Sequence, residues 1–193
     1  MGLNGFTPKT AKNLQLDAGI LVKNHKVGDE IKEESKLGAT SGGSSFTATP
    51  EMRNLFEDLD GARGNYKDGN VIDSWEVSLS VTVKESTLEN IKLALGAADS
   101  AAAEGKIAES HQKITPRMDI KSSDYLENVC WIGTLNGSDD FVIIELKNVL
   151  NTNGFNFTTT DKGTGAIALE LKAHFDLEKP DDVPFVIYVP NVA

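Results

Sequence analysis

From residue 75 to residue 83 the chain alternates without a fault. Trp75, Val77, Leu79, Val81 and Val83 are apolar, and Glu76, Ser78, Ser80 and Thr82 stand between them. A period of two places one set of side chains on a buried face and the other in water, the pattern of a half-buried strand. The pattern then changes its period. Ser86 and Glu89 have capping-box spacing and predict a helix start at Ser86, since each side chain can satisfy a free amide of the first turn. Leu88, Ile91, Lys92 and Leu95 follow at helical spacing, and Gly96 ends the run. Trp75, Val77, Leu79, Ile91 and Leu95 are therefore the expected contacts between sheet and helix.

The rest of the chain reads as further strands joined by turns. Residues 14–23 alternate through Leu16, Ala18, Ile20 and Val22. Residues 23–36 are dense in charge, and Ser41-Gly42-Gly43-Ser44-Ser45 reads as a linker or as the tip of a long loop. Residues 45–57 resume as a strand, and 58–70 form a second loop with Gly61, Gly64 and Gly69 among charges. Residues 97–112, rich in Ala, Ser and Glu, fit either a helix or a mobile surface loop. Tyr125 to Leu135 and Phe141 to Leu146 flank Asn136-Gly137-Ser138-Asp139-Asp140, a hairpin signature. Strands follow at 155–160, at 166–176 and at 185–189, the last ended by Pro190. The expected fold is mainly β (α+β): a β-sandwich or partly open barrel with one flanking helix. It is read as a single domain over 1–193, with extended loops at 25–45 and 58–70.

Chemistry is hard to find. Of the 193 residues one is a cysteine, Cys130, so an internal disulfide and a cysteine-based metal site are excluded. Cys130 lies in an apolar run and is expected to be buried and inert. His25, His111 and His174 lie far apart, without a second ligand at metal-helix spacing, and His174 is read as a surface histidine. Asp58-Leu59-Asp60-Gly61 lacks the later glutamate of a calcium loop. Asp139 and Asp140, adjacent in a turn, diverge and suit turn formation better than paired catalysis. Asn136-Gly137-Ser138 and Asn156-Phe157-Thr158 match glycosylation acceptors by chance. No phosphate loop or nucleophile elbow is present. Neither an enzyme nor a cofactor is expected.

The net charge of -10 comes from 29 acidic and 19 basic residues and offers no basic patch for DNA. No apolar run approaches the roughly 20 residues of a membrane span. The first six residues have no charged stretch leading into an apolar one, so no secretion signal is read and synthesis in the cytoplasm is expected. The 25–45 loop is long for a compact domain and has the composition of a segment that orders on binding, or of a disordered surface loop.

Several of these stretches carry a resemblance when taken in order. Leu37-Gly38-Ala39-Thr40, Phe46-Thr47-Ala48-Thr49-Pro50-Glu51 and Asp60-Gly61-Ala62-Arg63-Gly64 are followed by Ile72-Asp73-Ser74-Trp75-Glu76-Val77-Ser78-Leu79 and by 87–99. The series resembles the major tail tube proteins of tailed bacteriophages of Gram-positive hosts, siphophage-type, over residues 14–99. The resemblance implies hexameric rings stacked into a virion tail tube that conducts DNA into the host. The partners implied are further copies of the chain and the tape measure, tail terminator and distal tail proteins, with DNA as passing cargo and no membrane. An acidic lumen would give the net charge a purpose, because like charges do not pair.

On this reading Glu76, Ser78, Ser80, Thr82 and Glu170 face the lumen, although a solvated sheet face explains them equally. Lys26, Asp29, Glu30, Lys32 and Glu33 belong to a loop reaching the next ring, a role that 58–70 could also fill. Removing 26–43 should then abolish stacking and leave a folded monomer. A contractile-tail or bacteriocin tube would read alike. The alternative of another class is a β-sandwich adhesin or carbohydrate-binding module.

Overall fold

The computed structural model describes residues 5–108 and 110–191. Residues 1–4 and Glu109, which the secretion-signal and 97–112 readings include, lie outside the described residues. Strands β1 (Ile20–Lys23), β2 (Thr40–Asn54) and β3 (Asn70–Val83) precede helix α1 (Leu88–Leu95). Then come β4 (Ala98–Ala102), β5 (Gln112–Pro116), β6 (Leu126–Thr134) and β7 (Phe141–Asn151). Last are β8 (Asn156–Thr158), β9 (Ala166–Lys172) and β10 (Phe185–Tyr188). The fold is mainly β, as expected, and the described residues form one α-helix, a large antiparallel sheet and a small one.

The large sheet runs β1-β6-β7-β9-β3-β2, with β10 beside β7 and β8 beside β9. It folds over on itself. Phe185 of β10 lies 5.4 Å from Trp75 of β3 and 5.7 Å from Phe46 of β2, ring centre to ring centre. The two halves therefore face each other across one core, the sandwich arrangement. That core holds Leu21, Leu37, Val77, Leu79, Val81, Val83, Val129, Leu146, Val149, Ile167, Leu169 and Leu171. The alternation of 75–83 supplies four of these from a single strand.

Several local readings need correction. Leu16 is exposed, and β1 begins only at Ile20, because the chain turns at Gly19, φ 69°, where the Gly19 N–H donates to Asp17. The helix cap is Thr87 rather than Ser86: its Oγ1 accepts the Asn90 N–H at 3.1 Å, while Glu89 pairs with Lys23. Asn90 and Ala94 form the buried face of the helix. Ile91 and Leu93 pack at the core's margin, and Leu95 is half-buried outside it. Residues 97–112 are neither helix nor loop alone but begin the β4–β5 hairpin. Residues 40–45 are no linker: they open β2, with Gly42 and Gly43 (φ 79° and 77°) forming a bulge against β3. Local composition reports backbone freedom, and pairing with β3 removes it.

The β4–β5 hairpin is tied down by Arg117. The guanidinium lies 3.1 Å from Asp99, 3.6 Å from Asp119 and 2.5 Å from Asp124. Burial pushes the Asp124 carboxyl up, but the Lys121 N–H and Arg117 outweigh it and hold the group below its ordinary 3.8. A lowered folded value means stability that is present above the ordinary value and is lost as pH falls on through the lowered, folded one. Thermal unfolding followed against pH should show Asp124→Asn less stable than wild type at neutral pH, with the gap closing below pH 3.8.

Leu37 sits at 2% exposure inside the core, and Ala39 donates its N–H to Glu85 at 2.7 Å. Removing 26–43 therefore takes a core residue and the start of β2, and a folded monomer is not expected. Leu37→Ala should cost about 2–5 kcal/mol, read as a fall in the urea midpoint.

Candidate functional site: a hydroxyl-rich sheet face

The polar positions of β3 acquire neighbours on both sides. Ser80 pairs with Ser45 of β2 and Glu170 of β9; Ser78 pairs with Thr47 and Lys172; Thr82 pairs with Ser41 and Ala168. Glu76 pairs with Thr49, and Ser74 with Glu51. Directly opposed residues project from the same face, so Glu76, Ser78, Ser80, Thr82 and Glu170 share one surface. Its opposite side is the core. Ser80 and Glu76 are exposed, whereas Ser78, Thr82 and Glu170 are half-buried among their neighbours.

Short hydroxyl side chains dominate this surface. Three carboxylates, Glu51, Glu76 and Glu170, meet one ammonium, Lys172, which lies 3.5 Å from Glu76. At the bulge a shallow cavity of about 360 Å³ is lined by residues 41–45, Ser80, Thr82, Asn153 and Glu170. The cavity is open, with a mixed polar and apolar lining, and among the described residues no acid, base and nucleophile converge in it. Among the described residues no group of three or more His, Cys, Asp or Glu side chains could hold a metal ion. What such a face offers is a smooth, acidic, hydrogen-bonding wall. The contribution of β2 was missed in the sequence, although Ser45, Thr47 and Thr49 alternate there with Phe46, Ala48 and Pro50.

A second feature lies on the same two strands. β9 pairs with β3 only from Ser78 to Val83, so among the described residues the outer half of the β2–β3 hairpin has no third strand. The core-facing series Phe46, Ala48, Pro50 runs on to Met52, which pairs with Ile72, and both are at least half exposed. Leu55 and Leu59 extend the apolar surface into the 55–69 tip. The ribbon is held in shape by Arg53, which grips Asp73 with two bonds of 3.1 and 3.0 Å, and by the edge-on contact of Phe56 with Tyr66.

The other sequence candidates lie elsewhere. Lys26, Asp29, Glu30, Lys32 and Glu33 are exposed, but their loop folds back on its own sheet through Val27 and Ile31. Trp75 packs on Phe185, and Val77 and Leu79 lie in the core. Cys130 is fully buried, and burial, with the Glu145 charge nearby, pushes its thiol up to about 12. His174 is no plain surface histidine. It is half-buried, its Nδ1 is 3.0 Å from the Asn148 carbonyl oxygen, and its ring meets Tyr125 edge-on.

Since Ser78 and Ser80 sit on the face opposite the core, Ser78→Ala and Ser80→Ala should each leave stability within about 0.5 kcal/mol of wild type in urea unfolding. Compared with known proteins, the sequence matches no family model and no curated protein.

Proposed function

We propose that the chain is a structural subunit of a phage-type tail tube, forming stacked hexameric rings whose bore conducts DNA. The observation that carries this reading is the division of the β2–β3 hairpin. Its outward face over the sandwich is a hydroxyl-rich, net-acidic wall, and its overhanging half leaves the apolar Met52–Ile72 pair without cover. A wall of serines, threonines and carboxylates repels a polyanion, and the one ammonium on it, Lys172, is already paired with Glu76. The free edge of β2 is a template for pairing, and a second copy in a closed ring removes such an edge.

Of the two loops expected to reach a neighbouring ring, the 55–69 tip fits better. It stands clear of the body and bears apolar side chains. The 26–35 segment is folded on its own sheet. DNA is cargo in this reading, and further copies of the chain and the other tail proteins are its partners. A tube of the contractile or bacteriocin type would use the same parts. The reading of another class, a carbohydrate-binding or adhesin module, is favoured by one observation: Phe155 and Phe157 lie parallel on the surface, 6.1 Å apart, as rings that stack on a sugar could.

Negative-stain electron microscopy at rising protein concentration separates these readings. Rings or hollow tubes with a bore wide enough for duplex DNA support the tube. A chain that stays monomeric at every concentration, also when seeded with assembled tail fragments, removes it. Met52→Asp with Ile72→Asp should leave a folded monomer by circular dichroism and abolish tubes. Tubes of normal length from that variant would exclude the hairpin as the contact.

A further inference from the structure

Behind the main core lies a second, smaller apolar cluster: Val22, Cys130 and Ile132, with Ile143 at its margin. It occupies the outer face of the β1-β6-β7 half of the sheet, and the chain covers it with residues 24–39. Both ends of this cover are pinned. At the start, the Asn128 side chain accepts the His25 N–H and donates to the His25 carbonyl, each at 2.8 Å. At the end, Leu37 enters the core and donates its N–H to Leu21 at 3.0 Å, and Lys36 bridges Val22.

The span between the pins is held quite differently. Its described backbone hydrogen bonds are all local: Asp29 to Lys26, Ser35 to Lys32 and Lys36 to Glu33. The Lys36–Glu33 ion pair is local too. Contact with the sheet rests on Val27 and Ile31, both half-buried, while the charged residues between them point to water. Gly28 (φ 97°) and Gly38 (φ 96°) stand at the near and far ends, where glycine permits the backbone to turn.

We propose that residues 26–35 form a latch that swings as a unit from its hinge at His25, whose carbonyl lies 3.9 Å from the Cys130 Sγ, while the sandwich stays folded, opening a path to Cys130 and the apolar face around it. Opening removes two apolar contacts, and the described hydrogen bonds that leave the segment are the local ones from Lys36 to Glu33. It therefore costs far less than unfolding the core, the condition for a local opening unit. The device goes beyond the assembly reading and does not depend on it.

Cys130 is the reporter, since it is the sole cysteine of the chain. The full-length protein is mixed with excess Ellman's reagent across a urea series, and global unfolding is followed in parallel by tryptophan fluorescence. If the latch opens locally, labelling at low urea proceeds at a rate nearly independent of urea, faster than global unfolding allows. Ile31→Ser should raise that rate about ten-fold, the loss of roughly one methyl-rich contact, with the global midpoint almost unmoved. Labelling that follows global unfolding in rate and urea dependence, in wild type and in Ile31→Ser alike, overturns the latch. The wild-type measurement decides alone should the variant fail to fold.

Discussion

Strand β7 belongs to both halves of the sheet, and the rest of the molecule hangs on that. It pairs with β6 along most of its length, with β10 from Ile143 to Leu146, and with β9 at Leu150 and Asn151. At the crossing point stands Asn151, a polar side chain at 4% exposure. Its Nδ2 donates to the Ala94 carbonyl at 2.7 Å and to Gly154 at 3.3 Å, and its Oδ1 accepts the Glu170 N–H at 2.8 Å. A buried amide is costly unless its groups are paired, and here they are. One residue thus joins the end of a helix, a strand and a turn where the sheet bends.

The helix is fastened at its other end by the same device. Asn90 donates to the carbonyls of Leu37 and Glu85 at 3.1 and 3.0 Å, while its own N–H goes to the Thr87 cap. Eight residues are too few for a helix to persist on propensity alone. Two buried asparagines and one narrow face, Asn90 and Ala94, hold it in place instead. The Asn90 bond also ties the helix to the foot of the latch at Leu37. Main core, helix and latch therefore meet within a few residues, and the span 26–35 is the part left outside this network.

The functional reading rests on where pairing stops. β2 and β3 are 15 and 14 residues long, whereas β9 offers seven. The excess length leaves an overhang whose core-facing side chains have no core to face. The same hairpin over the body turns its other side to water as a bed of hydroxyls. One pair of strands thereby carries both a surface suited to polar contact and a surface that needs a partner.

Much of this was written locally. The alternation of 75–83, the Asn-Gly turn between β6 and β7, and the apolar setting of Cys130 each depend on neighbours within a few residues, and sequence alone determined them. The polar set Glu76, Ser78, Ser80 and Thr82 followed from the same alternation. Tertiary structure decided the rest, because the deciding partner lies far along the chain. Gly42 and Gly43 read as flexible until Val81 and Thr82 pair across them. Ala98–Ala102 is a strand because Gln112–Pro116 lies beside it and Arg117, at the open end of the pair, grips Asp99. Leu95 has helical spacing yet lies outside the core, since Asn151 and Leu37 set which helix face turns inward. A residue's period fixes which side it shares, but only long-range pairing and burial determine what that side meets.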